Sequence, residues 1–338
     1  MKIVILAGRD LSTAMMLPIL LKELKSSFWQ PTVCFVNHTV PQRASTQNKP
    51  AALTWFHYCE RSLLGEAFQL LDQYPVVADA ALLSPVGLSQ QFCIDVREVN
   101  QVNDASFIHE LKAGEYTGAL SVRCLQILRP AFIDSFSQSE GRFVWNLHSG
   151  ALPECRGAMP LFWTMAKQYP NATLSLHEIV KGIDEGKVVD TLSLSLKPNE
   201  SLLALSCRSA RYGALLISDA LEKQRLGLMQ TRPQPSGFQQ YFSYPKTDDI
   251  SHFESLGMKM LPSERELVDF MVKKTCVQDT PLSKTLRKHL DESLESHKKK
   301  LMGQFSDKDG AQTKRFFSPR GPDSSDLTVM PEPSMLRP

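Results

Sequence analysis

The residue types best able to do chemistry in this chain crowd into Asn146-Leu147-His148-Ser149-Gly150-Ala151-Leu152-Pro153-Glu154-Cys155-Arg156-Gly157-Ala158-Met159-Pro160. Residues two apart in an extended segment project from one face, so Asn146 and His148 share a direction if the stretch opens as a strand. An amide donor beside an imidazole can polarise a carbonyl and move a proton. A carboxylate follows in Gly182-Ile183-Asp184-Glu185-Gly186, where the flanking glycines allow a close approach to a neighbouring strand. The same residues are open to a plain structural reading, in which Asn and His satisfy backbone groups and Asp makes a turn. Cys155 has no general base beside it and reads as inert. His177 reads as a satisfied strand histidine, and Phe162 and Trp163 read as core residues.

Elements must deliver these side chains to one place. Ile3 to Ala7 is a β-branched run closed by Gly8, and apolar residues at helical spacing follow from Ser12 to Lys25. Thr32 to Val36 reads as a strand, 37–48 as a polar loop, and Pro50 to Leu71 as largely helix. Cys93 to Val99 and Gly118 to Val122 read as strands around a helix over Ala105 to Lys112, which Asn103 or Asp104 can cap. Val144 to Leu147, Thr173 to Ile179 and Val188 to Leu196 supply further strands, with helices over Leu161 to Gln168 and Leu202 to Leu226. Strands alternating with helices predict an α/β fold with a doubly wound, mostly parallel, Rossmann-like sheet. In such sheets ligands gather at the carboxyl ends of the strands, which is where Asn146 and His148 fall.

The sheet layer is expected to close near residue 230, so 1–230 reads as the main domain. Thr231-Arg232-Pro233-Gln234-Pro235-Ser236-Gly237 opens a linker, and a small helical appendage follows to 302 with helices over Ser263 to Lys274 and Leu282 to Leu301. Residues 303–338 are polar and proline-containing and read as disordered. Lys298-Lys299-Lys300 reads as a solvated helix face rather than an RNA patch.

Composition narrows the classes. The chain has 338 residues, 42% hydrophobic and 22% charged, and a net charge of +2, which gives no broad attraction to nucleic acid or membrane. Seven scattered cysteines without a C-x-x-C pair suggest neither a disulfide framework nor a zinc site. No apolar run reaches a membrane span or a signal h-region, so a cytoplasmic location is expected. Leu6-Ala7-Gly8-Arg9-Asp10 offers one glycine where a dinucleotide fingerprint needs three.

Taken together, Asn146 to Gly157, then Ser175-Leu176-His177, then Asp184-Glu185-Gly186 resemble the folate-dependent formyltransferase family. Its pattern runs Asn-x-His-x-Ser-x-Leu-Pro-x-x-Arg-Gly, Thr-x-His and Asp-x-Gly. The likeness covers roughly 1–245 in order of elements and is specific between about 118 and 190. Gly150 and Ser175 depart from the family's usual serine and threonine. The resemblance implies 10-formyltetrahydrofolate as formyl donor, no metal, and transfer to an amine. It implies that Asn146 and His148 stabilise the oxyanion and move the proton while Asp184 orients His148. By the same resemblance, Arg123, Leu125, Gln126, Ile127 and Leu128 form a folate loop, with Gly182 and Ile183 beside it. A small-molecule amine, such as an amino-sugar nucleotide or an amino acid derivative, leads as acceptor, with methionyl-tRNA as the alternative, since the region after 230 lacks a basic cluster for RNA. The compact glycinamide ribonucleotide transformylases fit less well. The contrasting class is a non-catalytic scaffold that keeps the fold.

Overall fold

The computed structural model describes residues 1–37, 49–77, 80–137, 141–276 and 278–305. Strand β1 (Lys2–Ala7) leads into α1 (Leu11–Lys25) and β2 (Gln30–Val36). A continuous helical stretch follows as α2 (Ala51–His57), a π-helical turn (Tyr58–Ser62) and α3 (Leu63–Leu71). Then come α4 (Pro85–Phe92), β3 (Val96–Val99), α5 (Ala105–Ala113), β4 (Tyr116–Val122), α6 (Pro130–Ser137) and β5 (Phe143–His148). The chain continues through β6 (Arg156–Gly157), α7 (Pro160–Ala166), β7 (Asn171–Glu178), β8 (Val188–Ser195) and α8 (Leu202–Arg225). It ends in β9 (Tyr241–Phe242), α9 (Thr247–Ser255), α10 (Glu264–Thr275) and α11 (Pro281–Phe305).

Seven strands form one sheet in the order β3-β2-β1-β4-β5-β7-β8. Ile3 to Ala7 are fully buried because β1 sits mid-sheet with helices on both faces, which is what an unbroken apolar run demands. Strands β3 to β5 in that order are parallel, while β7 is antiparallel to both β5 and β8. The connection 179–187 holds no crossover helix, so β7 and β8 pair as a hairpin would. One sheet face packs Ile3, Ile5, Trp145 and Leu147 under α1 and α8, and the other packs Val4, Leu6 and Val144 against Phe107 and Phe132 of α5 and α6.

Several expectations shift in detail. The strand expected from Cys93 starts only at Val96, because Cys93 ends α4 in a left-handed conformation with φ 53°. Asp104 does cap α5 by position but accepts no side-chain bond there. Helices α10 and α11 match the expected pair, and α11 runs through Gly303 to Phe305. The expected loop beyond Asn37 and the tail beyond Phe305 lie outside the described residues. Helices α10 and α11 bury Leu267, Phe270, Leu286, Leu290 and Leu294 in the same core that holds Leu53 and Trp55 of α2. His297 stacks on Tyr58 at 3.7 Å between ring centres with planes 2° apart, tying α11 to the π turn.

Candidate active site

Strand β5 carries Asn146 and His148 on one face at its carboxyl end, and the register places Asn146 opposite His177 of β7. The Asn146 amide donates through Nδ2 to His177 Nε2 at 3.0 Å. His177 Nε2 is then an acceptor, so its proton sits on Nδ1, which donates to the Glu178 carbonyl at 2.8 Å. His148 Nε2 lies 2.7 Å from the Cys155 carbonyl, which fixes the neutral ring with its proton on Nε2. The basic nitrogen, Nδ1, faces Asp184 Oδ2 at 3.6 Å. The other Asp184 oxygen is 3.6 Å from His177 Nε2. These are electrostatic contacts rather than hydrogen bonds.

Asp184 stands in a left-handed turn with φ 54°, and its Oδ2 accepts from the Gly157 amide at 2.8 Å. Burial would raise its carboxyl, but His177, His148 and the Gly157 amide outweigh burial and hold it at about 2. Burial pulls His148 below its ordinary value of 6.5, against the opposing attraction of Asp184 and the Cys155 carbonyl. The site therefore rests as a neutral imidazole facing a carboxylate.

Gly150 and Ser175, the two departures from the family pattern, touch each other. Ser175 donates to the Gly150 carbonyl at 2.7 Å. A side chain at 150 would come within 2.8 Å of both His148 Nε2 and the Cys155 carbonyl, so the residue must be small for their bond to form.

The loops that close the site are strapped by what the sequence presents as a linker. Arg156 donates to Gln234 Oε1 at 2.7 Å, and Gln234 Nε2 donates to the carbonyls of Asp184 and Gly186 at 2.7 and 2.8 Å. Strand β6 pairs with β9, and a Cβ at Gly157 would lie 2.1 Å from the Phe242 carbonyl.

A cavity of about 450 Å³ opens beside Asn146, His148, His177 and Asp184, within the size range of small-molecule sites. All seven residues anticipated for folate line it. They differ in what they offer. Leu125, Ile127 and Ile183 expose apolar surface there. The Gln126 side chain is spent inside the protein, donating to the carbonyls of Asn37 and Asn100 and accepting from the Val102 amide. Arg123 is held by Asp10 and Glu60. Leu128 is buried, and Gly182 contributes backbone.

His177 is satisfied on both ring nitrogens, as expected of a strand histidine, and the register opposite Asn146 also sets it in the cavity wall. Glu60 carries no sequence signal, because nothing in the residue pattern marks the π turn in which it lies buried. Among the described residues no group of three or more His, Cys, Asp or Glu is placed to hold a metal ion, and no helix is long and apolar enough to cross a membrane.

No family model matches the chain. It is 29% identical over 142 residues to the methionyl-tRNA formyltransferase of Chlorobium chlorochromatii, covering 42% of this chain and 43% of that protein. It is 32% identical over 113 residues to the methionyl-tRNA formyltransferase of Burkholderia vietnamiensis, covering 33% and 31%. The chain thus spans less than half the length of the curated relatives it matches. Among solved structures, the phosphoribosylglycinamide formyltransferase of Anaplasma phagocytophilum superposes with a TM-score of 0.47 at 13% identity, over 72% of this chain and 97% of that one. The resemblance read from Asn146 to Gly186 and the curated matches point to the same formyltransferase family.

Proposed function

We propose that the chain is an enzyme that moves a formyl group from 10-formyltetrahydrofolate to the amine of a small molecule. The observation that carries this reading is the meeting of Asn146, His148 and Asp184 at one end of a cavity whose wall is the Arg123 to Leu128 loop. The exposed apolar side chains of Leu125, Ile127 and Ile183 suit a flat aromatic ring system, and the cavity volume suits a cofactor-sized ligand. Such a donor supplies an activated formyl carbon, and the rest of the chemistry belongs to the chain.

An amide has two N–H donors, and His177 takes one of those on Asn146. The second is the donor for the oxygen that gains negative charge as the amine attacks, an interaction that strengthens towards the transition state. Attack leaves the amine nitrogen with a proton to lose, and His148 Nδ1 is the base that accepts it. The resulting imidazolium is held between the Cys155 carbonyl and the Asp184 carboxylate, whose pKa is held well below the usual carboxylate range. The proton then passes from His148 to the departing nitrogen as the old C–N bond breaks.

The names of the curated relatives favour a second reading, in which methionyl-tRNA is the acceptor. Against it, the described residues after β9 form helices docked on the main core rather than a separate RNA-facing unit. Purified protein incubated with 10-formyltetrahydrofolate and a panel of amino-sugar nucleotides, amino acids and methionyl-tRNA tests both, with mass spectrometry reading the gain of one formyl group. Transfer to no amine, with no binding of tetrahydrofolate, would leave the scaffold reading in place.

A further inference from the structure

We infer that Arg123 is a positioning residue for the donor loop, clamped between two buried carboxylates, and does not contact the ligand through its guanidinium. The ligand in this statement rests on the function proposed above; the clamp itself rests on geometry alone.

Arg123 is the first residue past β4 and takes a left-handed conformation with φ 52°. Its carbonyl is packed against the first turn of the fold, where a Cβ on Gly8 would approach it to 2.5 Å. Its guanidinium then reaches in two directions. Nε lies 2.8 Å from Asp10 Oδ1, and a terminal N–H donates to Glu60 Oε1. Asp10 is 3% exposed and caps α1, accepting from the Thr13 amide and hydroxyl. Glu60 is 1% exposed in the middle of the π turn, with Arg61 Nε 3.4 Å from its other oxygen.

Three elements therefore converge on one side chain: the start of α1, the π turn and the end of β4. Two carboxylates shielded from water repel each other unless a cation lies between them, so the position of the guanidinium is fixed from both sides. The residues that follow directly, Cys124 to Leu128, are the cavity wall. A π turn is an irregularity frequent at functional sites, and here it carries Glu60 buried in its middle. A cation neutralised by two carboxylates attracts an anionic ligand less, even where it borders the cavity, whereas the loop it anchors gains a defined shape.

The test compares the wild type with Glu60→Gln and with the double variant Glu60→Met/Arg123→Met. The double variant removes the cation and one carboxylate together but leaves Asp10 with only its Thr13 partners, so a third variant adds Asp10→Asn, which removes that lone buried charge and keeps the cap, and is expected to fold even if the others do not. Backbone amide relaxation in the ligand-free protein is read at Cys124 to Leu128 and, as a control, in α10. Order parameters in the loop are expected to fall from the rigid range of about 0.85 towards the flexible range below about 0.6, with α10 unchanged. The Kd for tetrahydrofolate is expected to rise about tenfold to a hundredfold, the usual consequence of misplacing a site. A loop as rigid in the folded variants as in the wild type overturns the proposal, even if binding weakens, because that pattern belongs to a direct contact. Failure of the wild type to bind tetrahydrofolate would instead count against the proposed function, and the loop measurement would still decide the clamp.

Discussion

His148 is pulled two ways, down by burial and up by Asp184, and the balance predicts the pH behaviour of the proposed active site. A base of lowered pKa stays unprotonated well into mild acid. The acid limb of kcat/KM is therefore expected below 6.5, and a limb at or above 6.5 would remove His148 as the base. Stability follows the same sign: the unfolded chain binds a proton at His148 that the folded chain resists, so folding weakens as pH falls through 6.5. Asp184 contributes in the same direction at lower pH. The Gly157 amide favours its charged form, so that stabilisation is present above 3.8 and lost as pH falls towards about 2. Asn146→Ala is expected to lower kcat about 10²–10³-fold, the usual loss for one oxyanion donor, with little change in thermal midpoint. The residues of the proposed triad are legible in sequence because the family resemblance rests on few residue types at fixed spacing. The partners that set their protonation, the Cys155 and Glu178 carbonyls, are backbone groups that any residue could supply, and no residue code announces them.

Elements differ in how strongly their residues specify them. The strand β1 and the long helix α8 are plain in sequence because a buried run and a repeating apolar stripe leave no second interpretation. The helices α4, α6 and α9 have eight or nine residues each, too few turns to repeat a pattern. The antiparallel course of β7 is set by pairing with β5, a long-range choice that alternation of elements does not encode. Ser201 is wholly buried at the start of α8 and accepts from the Ala204 amide. Ser201→Ala is expected to cost about 1 kcal/mol in denaturant unfolding, the loss of one cap. Gly157→Ala is a harsher change, since φ is 97° and the new methyl would collide with the Phe242 carbonyl. Its effect is expected at about 1–3 kcal/mol or more, together with loss of activity, because the same residue's amide holds Asp184.

Across the whole molecule, the helices after residue 260 are joined to the sheet by a shared core rather than by a tether. Leu290 is fully buried on α11, the helix that packs against α2, α3 and α10. Leu290→Ala is expected to cost about 2–5 kcal/mol, and calorimetry of the wild type is expected to show one transition rather than two. Two resolved transitions, with Leu290→Ala shifting only one, would make α10 and α11 a separate unit. The composition change near residue 231 marks a real loss of regular structure, yet it conceals that Gln234 and Phe242 return to the site. A proline-rich segment shows where the chain leaves an element and says nothing of where it lies.

That return has a consequence for how the protein is made. The ribosome releases Asn146, His148 and Asp184 well before Gln234 and Phe242, and at ordinary synthesis rates the gap is on the order of seconds. During it the proposed catalytic side chains sit on a nascent chain whose Gly157 and Asp184 loops have no strap. On the proposed function, competence is expected only once the segment around β9 has emerged and docked on the Gly157 and Asp184 loops. A translational pause placed just before that segment would hold the chain folded in outline but chemically silent.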